Sequence, residues 1–138
     1  MATYNKFYSF VEAVAEGKHN LAVNVLNVML TNTAPVATNT VKSELVEITA
    51  GGGYTAGGSQ ALQSSSAQTG GVYKLVLADV VFTATGTFGP FRYAVLYDNT
   101  ATNKELIGWW DYGSSLSLNV GELFTVDFDV TTGVLTIT

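Results

Sequence analysis

The stretch "GPFRYAVLYDNTATNKELIGWWDYGSS", residues 89–115, sets two alternating apolar runs on either side of a polar turn. Phe91–Tyr97 and Glu105–Tyr112 repeat with the period of two that puts successive side chains on opposite faces of a strand. The intervening "DNTATNK" is made of residues that favour turns, so the runs are expected to pair as an antiparallel hairpin. On the first run Phe91, Tyr93, Val95 and Tyr97 share a face. On the second, Trp109 goes with Ile107 and Asp111, and Trp110 with Leu106, Gly108 and Tyr112. One tryptophan then fills a core while the other faces outward or into an interface. Cross-strand aromatic pairs of this kind stabilise a sheet by about 0.2–1 kcal/mol each.

Working outward, the same period recurs over Val72–Leu77, Val80–Thr85, Leu116–Leu118, Leu123–Val130 and Val134–Ile137. Turn signals separate these runs at the spacing of a sandwich or barrel. In "FTVDFDV" Phe124, Val126, Phe128 and Val130 face inward, and the run is expected to form a terminal hairpin with "TTGVLTIT". Towards the N-terminus, "LAVNVLNVML" is apolar on both faces and reads as a strand covered on both sides. Ahead of it, Tyr4, Phe7, Val11 and Val14 recur at three- and four-residue steps until Gly17, which predicts a helix over residues 3–17. The glycines of "GGGYTAGG" break regular structure around Tyr54, and residues 51–71 read as a Gly/Ser-rich loop or arm containing an exposed edge strand. The predicted fold is therefore mainly β: one domain over residues 1–138, an antiparallel β-sandwich (jelly-roll- or immunoglobulin-like) with one N-terminal α-helix.

Composition narrows the function. Of 138 residues, 12% are charged and 47% hydrophobic, which opposes disorder and suggests that part of the folded surface is covered by something other than water. A net charge of −5, with only six Lys and Arg scattered singly, disfavours a nucleic-acid partner. No apolar run approaches the ~20 residues of a membrane span, and the N-terminus lacks a signal-peptide pattern. With no cysteine there is neither a disulfide nor a thiolate metal site.

Little in the chain points to catalysis. His19 is the single histidine, no Gly-x-Ser-x-Gly elbow accompanies it, and it reads as a solvated residue at the helix exit. "GGGYTAGG" lacks the Lys-Ser/Thr of a phosphate loop. Asp127 and Asp129 read as a solvated strand face rather than a calcium site. The pairs Glu44/Glu47 and Asp98/Glu105 lack burial signals that would tune one carboxyl as an acid. The expectation is no enzyme, no cofactor and no metal.

The segments "LNVMLTNTAPVATNT", "ITAGGGYTAGG", "GPFRYAVLYDNTA" and "LIGWWDYGSSLSLNVGELFTVDFD" resemble a family of small virion structural proteins of tailed bacteriophages and prophages, labelled as capsid decoration or tail-fibre-like proteins. The resemblance runs from about Phe7 to the C-terminus and carries no catalytic motif. It implies a protein made in the bacterial host cytoplasm and located on the capsid surface of the virion. There it would decorate or cement the major capsid protein and contact copies of itself, as a homotrimer at local three-fold points. Attachment is expected through the helix face (Tyr4, Phe7, Tyr8, Val11), the arm around Tyr54, and an outward Trp109 or Trp110. The alternative is a tail-fibre, baseplate or receptor-binding module that presents the outward tryptophan to a host-surface glycan.

Overall fold

The computed structural model describes residues 2–138. In chain order its elements are β1 (Tyr4–Lys6), α1 (Ser9–Ala15), β2 (Leu26–Thr31), a 3-10 turn at Lys42–Glu44, β3 (Ser59–Gln60), β4 (Gln63–Thr69), β5 (Val72–Leu77), β6 (Val80–Thr83), β7 (Phe88–Asp98), β8 (Leu106–Leu118), β9 (Leu123–Val126) and β10 (Leu135–Ile137). The protein is mainly β, its ladders are antiparallel, and it has one α-helix. It is sandwich-like, as the alternating runs predict.

The 89–115 hairpin forms the spine of a five-stranded sheet ordered β1-β8-β7-β2-β3. Against one face of it pack a three-stranded sheet, β10-β5-β4, and a two-stranded ribbon, β6-β9. Leu26, Val28, Leu30, Leu96, Ile107 and Trp110 of the large sheet meet Leu75, Leu77, Val80, Phe82, Val126 and Leu135 in the main core. The opposite face is also covered. Met29, Val95, Tyr97 and Leu106 form a second cluster with Phe7, closed by Leu45 and Trp109. β2 carries apolar residues on both faces because both are covered: Val28 and Leu30 in the main core, Met29 in the second cluster.

Several expectations need correcting, each for a local reason. The helix is seven residues long rather than spanning 3–17. Tyr4–Lys6 instead pairs with Gly108–Trp110 as a strand. Residues three apart lie on one face of a helix but on opposite faces of a strand. Accordingly Tyr4 packs on Trp110 at the main core, while Phe7 packs on Trp109 in the second cluster. The helix does stop at Gly17, whose φ is +75°, with Gly17 N–H bonded to Val14 O and Lys18 N–H to Ala13 O in a Schellman-type cap.

The hairpin pairs as expected, yet its face assignments shift. Leu96 opposes Gly108 and Tyr97 opposes Leu106, so Ile107 is an extra, bulged residue. Past the bulge the phase inverts: Leu106 joins Trp109's cluster and Ile107 joins Trp110's. A second irregularity between Phe91 and Tyr93 likewise moves Phe91 to the main core, away from Val95 and Tyr97.

The expected terminal hairpin does not form. β9 pairs with β6 and β10 with β5. The Asp79 carboxylate takes the Phe128 N–H, and Asp129 Oδ1 takes those of Thr131 and Thr132, so the chain turns aside after Val126. Residues 51–71 contain the expected exposed edge strand and form no free arm. They fold as a glycine clamp around buried Tyr54, then as β3 and the edge strand β4. Gly58 must be glycine, since a Cβ there would sit 1.8 Å from Val28 O.

Candidate functional site

Of the seven residues expected to make an attachment surface, only Tyr8 and Val11 stand clear of the protein. Phe7, Tyr54 and Trp110 are core residues, Tyr4 packs on Trp110 and its hydroxyl reaches the Ile107 carbonyl, and Trp109 is half covered by Phe7 at 4.6 Å between ring centroids. Aromatic residues carry the largest apolar area per side chain, so a small sandwich spends most of them inside. Neither tryptophan offers a free ring face flanked by a second coplanar aromatic.

Tyr8 and Val11 are 65% and 54% exposed on consecutive turns at the start of α1. The Tyr8 N–H bonds to Ala37 O at 2.9 Å, which brings Val36, also 54% exposed, into the same neighbourhood. Single exposed apolar residues are ordinary. Tyr8 and Val11 lie one turn apart, and Val36 is next in sequence to the residue that accepts the Tyr8 N–H. Val36 was not foreseen, because nothing in "TNTAPVATNT" tells which of its residues meets the helix.

Two buried polar clusters were also missed. His19 was expected in solvent and Asp98 was expected without burial. Instead both side chains are fully buried, with His19 Nδ1 at 2.8 Å from Asp98 Oδ2. Asn24 donates to the same oxygen at 2.6 Å, and Asp98 Oδ1 accepts the N–H groups of Thr100 and Ala101. Burial opposes ionisation of Asp98, but the bonds from His19, Asn24 and the Ala101 amide outweigh it and hold the carboxyl below its ordinary range. A carboxylate only accepts, so the shared proton sits on Nδ1. His19 Nε2, the nitrogen that would face a nucleophile in a Ser-His-Asp arrangement, is sealed from solvent and unpartnered among the described residues. What the pair does is fasten the α1–β2 loop to the end of β7. The signal for it was Asp98 directly before "NTA", the pattern of an aspartate that caps its own turn. Glu105 is buried as well, with Oε2 unpartnered, beside a polar cleft of about 480 Å³ that Lys18, Asn20, Asn24 and Asn103 help to line.

The second cluster holds the 42–58 loop. Glu47 Oε1 accepts from the Tyr54 hydroxyl (2.6 Å) and the Gly57 N–H (2.5 Å), and Oε2 accepts from Lys42 at 3.0 Å. The Tyr54 hydroxyl in turn accepts the Leu30 N–H of β2, and the Tyr97 hydroxyl of β7 donates to Gly57 O at 2.6 Å. Burial raises the Tyr54 phenol well above its ordinary value, and the bond to Glu47 adds to this, so it stays a donor.

Family models, curated proteins and solved structures return no match to this chain. The functional reading therefore rests on chemistry. Among the described residues no three His, Asp or Glu side chains cluster as a metal site, and no helix is long and apolar enough to cross a membrane. Asp127 and Asp129 lie exposed, with Asp129 spent on its own turn.

Proposed function

We propose that the chain is a structural protein of a tailed-bacteriophage particle, a capsid decoration or cement protein that binds the major capsid protein and copies of itself. The observation that carries this reading is the combination of so few charges with the exposed apolar side chains Tyr8 and Val11 at the start of α1. A surface of that kind gains most when it is covered, and a shell of repeated subunits supplies the cover. The resemblance of the quoted segments to virion proteins supports the same location. The mechanism is linkage. A protein that binds only the assembled lattice stabilises it by RT ln(1 + [L]/Kd), about 2.7 kcal/mol per site at one hundred times Kd, repeated over every site.

The test is particle location and heat resistance. Density of this chain over the capsid lattice is expected in electron micrographs, and particles lacking it should release DNA at lower temperature. Tyr8→Asp with Val11→Asp should reduce occupancy by about tenfold or more while the purified protein stays folded, because both side chains are exposed. Density at the tail tip, or heat resistance unchanged by removal of the protein, would overturn the reading.

A further inference from the structure

We propose that β4 is a self-pairing edge: two copies of this chain join antiparallel through Ser65–Thr69 about a two-fold axis at Ala67, fusing their three-stranded sheets into one of six strands. This goes beyond the particle reading and does not rest on it.

Six strands lie at sheet edges: β1, β3, β4, β6, β9 and β10. Five of them are two to four residues long, and short edges are one way proteins avoid unwanted pairing. β4 has seven residues, "QSSSAQT", and none of the other usual protections. It has no lysine, no other charge and no proline, and its single bulge lies at its start, between Gln63 and Ser65. Ser65, Ala67, Gln68 and Thr69 are exposed.

The turn fixes which backbone groups are free. β4 and β5 are joined by Gly70–Gly71, both at positive φ (59° and 85°), the two-residue turn of type I′. In such a hairpin the flanking pair, Thr69 and Val72, exchanges hydrogen bonds, and every second pair after it does the same. Thr69, Ala67 and Ser65 therefore bond inward to β5. The N–H and C=O groups of Ser66 and Gln68 point away from the sheet and have no partner among the described residues. The bulge ends this regular alternation before Ser64.

Two outward residues separated by one inward residue are self-complementary. In antiparallel pairing about Ala67, Ser66 meets Gln68 of the copy and Gln68 meets its Ser66. Each of these pairs can exchange two hydrogen bonds. The same symmetry brings Ser65 opposite Thr69 of the copy. Any charge in this segment would be duplicated within a few ångströms on the partner, and the segment carries none, although the chain as a whole is at −5. That neutrality is what selects a second copy as the occupant.

The experiment is sedimentation of the purified full chain across concentrations up to about 0.5 mM, with backbone amide exchange on the same samples. The wild type should approach twice its 14.6 kDa mass, and protection at Ser66 and Gln68 should grow with concentration while Ala67 stays protected throughout. Gln68→Pro removes only an outward N–H, a place where an edge strand accepts proline, and should weaken the dimer about tenfold or more. Charge pairing supplies the check that a folding defect could not mimic. Ser65→Lys with Thr69→Lys should give monomers, whereas Ser65→Lys with Thr69→Glu, which sets opposite charges across the axis, should restore the dimer. A wild type that stays monomeric leaves the edge to some other protein's strand and overturns the proposal. So does a dimer indifferent to all three variants.

Discussion

The His19–Asp98 tie and the Lys42–Glu47–Tyr54 clamp do similar work in different surroundings. Each fastens a long loop to the central sheet through one carboxylate that accepts several donors. The first is sealed, with both side chains at zero exposure, whereas Lys42 and Glu47 keep 23% and 18% of theirs. A donor that loses its acceptor in a sealed site has no water to turn to; at a half-open site it does. The stability that rests on each carboxylate should therefore follow its access to water rather than its number of bonds.

Asp98→Ala breaks that comparison most directly. It strands His19, the Asn24 amide and the N–H groups of Thr100 and Ala101, all of which bond to Asp98. Removing one partner from a buried pair typically costs about 3–5 kcal/mol. For a chain of this length the melting temperature should fall by roughly 10 °C, at about 2–4 °C per kcal/mol. Thermal unfolding followed by circular dichroism measures it. A loss below about 1 kcal/mol would mean that water reaches the site and that the contrast drawn here is false.

Tyr54→Phe addresses the clamp and should cost less. It leaves the Leu30 N–H without its acceptor and takes one donor from Glu47, which keeps Gly57, Lys42 and nearby solvent. The expected loss is about 1–2 kcal/mol, read from the urea midpoint at unchanged slope. A loss as large as that of Asp98→Ala would show that the clamp, for all its exposure, is as dry as the tie.

The sequence made the strands legible and the ties obscure, for one physical reason. A strand half-buried on a sheet writes its environment as an alternation that can be read locally, which is why Val72–Leu77 and the 89–115 hairpin were placed correctly. The phase of an alternation survives only until a bulge, so the faces of Leu106 and Ile107 were interchanged while the strand itself was right. Tyr4 and Phe7 fit a helical stripe equally well, and only the open edge of β8 decides that they belong to a strand end. Tyr8 and Val11 are exposed as their place on the helix suggests, but the tie of the helix start to the Ala37 carbonyl joins distant segments and has no local signal. His19 and Asp98 are 79 residues apart, and no local pattern brings them together.

The smallest expected effect separates the two carboxylates by pH. Burial opposes the ionisation of each, yet their donors hold both below the ordinary carboxyl range: His19, Asn24 and the Ala101 amide for Asp98, and Tyr54, Lys42 and the Gly57 amide for Glu47. With folded values depressed, the unfolded chain takes up these protons first as pH falls. The stability they contribute is thus complete above the usual carboxyl range near pH 4 and is lost as pH drops through the folded values. Lys42→Met removes one cause of the Glu47 depression and none of Asp98's. At neutral pH it should cost less than about 1 kcal/mol, as expected for a partly exposed ion pair. On acidification the smaller Glu47 share should be fully lost at a higher pH than in the wild type, because its folded value is less depressed, while the share due to Asp98 keeps its place. Urea midpoints collected from about pH 3 to pH 7 would show two curves offset at neutral pH and converging at their acid end. Curves that stay parallel throughout would mean that Lys42 does not act on Glu47 in solution, leaving Tyr54 and the Gly57 amide to hold that loop to the sheet.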